Sequence, residues 1–75
     1  MNTITINNRL ACGIIFHKSL TKINDETKRA ERFEWFVRTT SINKLQRHEE
    51  EIISYLNATG KYFPKIGRLI INKHD

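Results

Sequence analysis

The stretch ERFEWFVRTTS, residues 31–41, decides how this chain is read. It holds Phe33, Trp35 and Phe36, including the single tryptophan, and then breaks into hydroxyl side chains. As a helix, it would line up Ala30, Phe33, Phe36 and Val37 at three- and four-residue spacing, with Trp35 on the opposite, wet side. As a strand, it would place Phe33, Trp35, Val37 and Thr39 on one face and Glu34, Phe36, Arg38 and Thr40 on the other. Aromatic and β-branched residues favour a pleated surface, and Val-Arg-Thr-Thr-Ser continues a helix poorly. The residue types therefore favour the strand.

Working outward, RLACGIIFHKS (9–19) alternates Leu10, Cys12, Ile14 and Phe16 against Ala11, Gly13, Ile15 and His17, a second strand apolar on both faces. TITI (3–6) reads as a further strand or an extended arm. Asn24-Asp25 supplies a turn between the two main strands, giving a long hairpin over 18–32, with a short helix at 25–30 as the competing reading. Downstream, Ser41 is placed to cap a helix. Leu45, Ile52 and Leu56, flanked by Ile42 and Ile53, form its stripe over about 42–58. Gly60 is a left-handed stop, Pro64 falls in a loop, and 65–72 reads as a closing strand. The expected fold is a single small α+β domain over 1–75, in the order β-β-α-β, with one long helix packed on an antiparallel sheet.

At 75 residues the chain buries only about 60% of its unfolded surface, so its core is marginal. Such domains lean on disulfides, metals or self-association. Cys12 is the only cysteine, which excludes an internal disulfide and makes a homo-oligomer the expectation. Apolar runs reach three residues, against roughly 20 for a bilayer span, and 1–9 lacks the pattern of a secretory signal. The expected setting is cytoplasmic, without membrane attachment. Asn57-Ala58-Thr59 matches a glycosylation sequon, which without a secretion signal reads as chance.

Thirteen Lys and Arg against eight Asp and Glu give a net charge of +5, which favours acidic protein surfaces or nucleic acid as partners. The hairpin cations Lys18, Lys22, Lys28, Arg29 and Arg32 are the candidate contacts for an acidic partner or for nucleic acid. Asp25, Glu26, Glu31 and Glu34 interrupt them, so any nucleic-acid binding is expected to be weak. Ile, Asn and Lys make up 25 of the 75 residues, and their AT-rich codons point towards a mobile element or a low-GC genome.

Site chemistry is sparse. On a strand Cys12 and His17 would point to opposite faces and share no ion, His48 sits on the helix and His74 near the chain end, so no metal site is expected. No nucleophile elbow, phosphate-binding loop or paired-carboxylate spacing is present, so the chain reads as non-enzymatic and without a cofactor. Cys12 reads as a small buried hydrophobe. Glu49 falls inside the apolar helix stripe, either reaching solvent at its edge or pairing with an Arg or His from the sheet or a second subunit. On the strand reading one helix covers one sheet face. Phe36 and Arg38 on the other face, with Trp35 nearby, are then the partner interface, where Phe36→Asp should abolish association without disturbing the melt.

Two resemblances follow from these residues. The run EEEIISYLNATGKYFPKIGRLI (49–70) looks like the first half of a recombinase-type helix-turn-helix, which implies a recognition helix after it. Phe33–Val37, Thr40-Ser41, the 42–58 helix and Arg68-Leu69 together resemble small phage-encoded host-takeover and antirepressor proteins of the Ash/Icd-like type. That resemblance implies stoichiometric binding to a host or phage protein, as an inhibitor or antirepressor. A basic nucleic-acid-binding transcriptional regulator, using the 18–32 hairpin or the 43–58 helix, is the alternative.

Overall fold

A computed structural model describes residues 2–60 and 65–73. Its elements run β1 (Thr3–Asn7), α1 (Asn8–Ile15), α2 (His17–Thr21), α3 (Glu26–Thr39), α4 (Ile42–Arg47), α5 (Glu49–Ala58) and β2 (Arg68–Asn72). The expected antiparallel α+β sandwich is therefore replaced by a mostly helical domain with one small parallel sheet. β1 and β2 pair in parallel, Thr3 with Arg68 through Asn7 with Asn72, so the five helices of the described residues lie in the crossover between two paired strands. TITI is indeed a strand, and the closing strand lies within the expected 65–72.

The two segments read as a hairpin are helices, and local capping starts each of them. The Asn7 side chain accepts from the Leu10 amide at 2.9 Å, which opens α1. The Asp25 carboxylate accepts from the amides of Thr27 at 2.8 Å and Lys28 at 3.2 Å, and Glu26 adds negative charge to the same first turn. The residues predicted as a turn thus serve as the cap of a 14-residue helix that runs through the whole aromatic stretch.

Long-range packing completes what capping begins. The rings of Phe16 and Phe36 stack with centroids 3.9 Å apart and planes within 4°. Phe33 and Val37 lean on the core from the same side of α3. Arg29 reaches back and donates to the carbonyls of Ile23 (2.6 and 3.1 Å) and Leu20 (3.3 Å), satisfying acceptors near the end of α2. The stripe Phe33, Phe36, Val37 faces inward as helical spacing requires, and Trp35 stands outside. Phe36 and Trp35 are accordingly not on opposite faces of a sheet.

The core is built from Ile6, Ala11, Cys12, Leu45, Ile52, Leu56, Ile66, Leu69 and Ile71. Ser41 caps α4 by accepting from the Lys44 amide at 3.1 Å. The single long helix expected over 42–58 is two, broken at His48, whose backbone (φ −95°, ψ 20°) leaves helical geometry. The His48 amide turns back to the Leu45 carbonyl at 3.0 Å, and Ile52 resumes the ladder on the His48 carbonyl at 3.0 Å. Leu45, Ile52 and Leu56 are all buried across this break. Gly60 follows in the left-handed region (φ 69°), where a side chain would be strained. Pro64 lies outside the described residues.

Because Phe36 is stacked in the α2–α3 contact, Phe36→Asp should destabilise the isolated chain by about 2–3 kcal/mol. A thermal melt checks this; an unchanged midpoint would return Phe36 to the surface.

Candidate functional site

With its apolar stripe turned inward, α3 presents its other side to solvent, and none of its residues is fully buried. Trp35 is 45% exposed. The Arg32 guanidinium lies 5.4 Å from its ring centroid, within cation–π range, and the edge of Phe36 supports it at 5.4 Å. Ile23, Lys28, Glu31, Arg32, Trp35 and Arg38 line one open groove beside this cluster. Lys28, Arg32 and Trp35 share a stripe because they are separated by four and three residues.

The candidate residues divide in a way that the strand reading did not allow. Trp35, Arg32, Arg38 and Lys28 come together on the exposed face. Phe36 belongs to the packed side. Arg29 is committed to the carbonyls of Leu20 and Ile23, so its charge serves the fold. Lys18 and Lys22 are exposed on and just after α2. Ile23, at the foot of the groove, was missed. The signal that could have found it is its place between the end of one helix and the Asp25 cap of the next.

Glu34 forms an ion pair with Arg9 on α1 and, with Ala30, Glu31 and Arg38, lines a shallow hollow next to the groove. Arg9 also lies 5.6 Å from the Phe33 ring centroid. Beside this pair, Leu10, Gly13, Ile14, Phe33, Tyr55 and Leu56 border a second, more apolar hollow. A side chain on Gly13 would enter it, since a Cβ there meets only Phe33 Cε1, at 3.9 Å.

Burial pushes the Cys12 thiol above its usual range, opposed by the positive charge of Arg9. That favours the neutral, apolar state of Cys12, which is fully buried in the core. Among the described residues no three His, Cys, Asp or Glu side chains gather as they would around a metal ion, and no helix is long and apolar enough to cross a membrane.

Glu49 takes the paired arrangement. Its carboxylate accepts from the Leu69 amide at 2.8 Å and lies 3.6 Å from Arg68 Nε. Gln46 Nε2 donates to the Leu69 carbonyl at 2.8 Å, so two helical side chains hold both backbone groups of Leu69 on the outer edge of β2. Comparison with protein-family models, curated proteins and solved structures finds no match. The aromatic strand invoked in the phage-protein resemblance is a helix, and the run that resembles the first half of a helix-turn-helix ends in the strand Arg68–Asn72.

Glu49→Ala leaves the part-buried Leu69 amide without an acceptor and should cost about 1–3 kcal/mol, whereas Glu49→Gln keeps an acceptor and should cost about 1 kcal/mol or less. Thermal or urea melts of the two variants check this; equal losses would mean that the charge matters rather than the hydrogen bond.

Proposed function

We propose that this chain is a small non-enzymatic binding protein that acts by stoichiometric attachment to another protein, and that the outer face of α3 is its docking surface. The observation that carries the reading is the exposed Trp35 with Arg32 over its ring. Tryptophan and arginine are enriched at the energetic centres of interfaces; the tryptophan ring buries a large rigid area at little entropic cost, and the guanidinium adds directed hydrogen bonds and charge. Among the described residues that line the groove, Lys28, Arg32 and Arg38 outnumber the one carboxylate, Glu31, so the complementary partner offers an acidic surface and an apolar side chain to set beside Ile23 and Trp35. An inhibitor or antirepressor role, of the phage or mobile-element kind, is the form of this reading that the sequence suggests.

A second reading rests on the same cluster. An exposed aromatic flanked by cations can stack a base and neutralise phosphates, which would suit weak, salt-sensitive binding of single-stranded nucleic acid. Glu31 within the groove favours the protein partner.

Affinity capture from the source cell, with and without nuclease, separates the two. A protein captured under both conditions is expected. Trp35→Ala should weaken its binding by about 2 kcal/mol, roughly thirtyfold, with an unchanged melt. Quenching of the single tryptophan by an oligonucleotide, together with capture abolished by nuclease, would favour the second reading instead.

A further inference from the structure

We infer that the edge of β1 turned away from β2, uncovered among the described residues, pairs with β1 of a second copy of this chain, antiparallel and two-fold symmetric about Thr5, to form one continuous four-stranded sheet. The inference is independent of the α3 docking surface.

The outer edge of β2 is held at Leu69, whereas that of β1 is held nowhere among the described residues. In a parallel ladder alternate residues turn their backbone groups to the neighbouring strand, and the others turn theirs away. The Arg68 amide bonds the Asn2 carbonyl at 2.9 Å, which sets this phase. Leu69 therefore faces away from β1, where Gln46 and Glu49 occupy its carbonyl and amide. On β1 the same phase turns Thr3 and Thr5 away from β2. Among the described elements β1 touches only β2 and α1, and no described group bonds the backbone of Thr3 or Thr5.

An open edge invites another strand, and proteins commonly guard such edges with lysine, proline or a bulge. The strand Thr-Ile-Thr-Ile-Asn carries no charge and no proline, and its β-branched residues suit pairing. A two-stranded sheet is also marginal alone, and a third and fourth strand relieve that weakness.

A second copy is the occupant because the strand is complementary to itself. A two-fold axis at Thr5 uses all five residues, pairing Thr5 with Thr5, Ile4 with Ile6 and Thr3 with Asn7. Residues opposed in an antiparallel pair share a face, so isoleucines meet on the core side and polar residues on the outer side. Ile4, still partly open at the edge of the core, gains cover from the partner. The net charge of +5 on each chain falls outside β1, so no like charges meet across the seam.

Sedimentation equilibrium of the full chain, at concentrations up to the order of 100 µM, should give twice the 8.9 kDa chain mass. Thr5→Pro removes an outward amide that the β1–β2 ladder does not use, and should raise the dimer dissociation constant about tenfold or more with an unchanged far-UV spectrum. Thr5→Cys should link into a disulfide dimer under mild oxidation, because paired strands bring the two Cα atoms within roughly 5.5 Å. Ile70→Cys, exposed but three strands from its symmetry mate, should not link. Trp35→Ala should remain dimeric. A monomeric wild type, a dimer indifferent to Thr5→Pro, equal linking at Ile70→Cys, or dissociation by Trp35→Ala would each overturn the proposal.

Discussion

The parallel pairing of Thr3–Asn7 with Arg68–Asn72 is the constraint on which the rest of the molecule depends. It closes a loop of five helices and so costs a long-range ordering entropy before any local gain offsets it. A two-stranded sheet cannot support that closure by its own hydrogen bonds. The support comes from Ile6, Leu69 and Ile71 on its inner face, set against Leu45, Ile52 and Leu56, and from Gln46 and Glu49 holding both backbone groups of Leu69. Glu49 interrupts an apolar stripe because β2 needs an acceptor at that point.

Closing the chain in this way leaves α3 at the periphery. It packs on α1 and α2 through one stripe and touches neither strand. Its anchors include the Asp25 cap, the Phe16–Phe36 stack, the Arg29 contacts with the carbonyls of Leu20 and Ile23, and the Arg9–Glu34 ion pair. A helix anchored on one side shows its other side to solvent. That geometry gathers Lys28, Arg32, Trp35 and Arg38 into one patch, whereas on a strand Trp35 and Arg38 would have pointed to opposite faces.

Legibility in the sequence followed the locality of the forces. The Ser41 cap, the Leu45–Ile52–Leu56 stripe, the left-handed Gly60 and the closing strand depend on neighbours within a few residues, and all were readable. The stripe Ala30–Phe33–Phe36–Val37 is equally visible, but the intrinsic preference of its residues points the other way. Strand preference of aromatic and β-branched residues reflects packing on a pleated surface, and in 9–19 and 31–41 those residues pack between helices instead. The helical reading sets Trp35 on the wet side, and there it is the exposed feature of the site. The pairing of β1 with β2 joins segments more than 60 positions apart, and no local pattern announces a parallel register. The break at His48 carries neither proline nor glycine, so nothing in the residue types marked it.

Interstrand nuclear Overhauser effects on the labelled protein test the closure most directly. The account predicts contacts between the Hα and amide protons of residues 3–7 and 68–72 in the parallel register that sets Thr5 beside Ile70, together with helical sequential contacts through Phe33–Val37. Close Hα–Hα contacts between 9–19 and 31–41, the signature of an antiparallel hairpin, would contradict it.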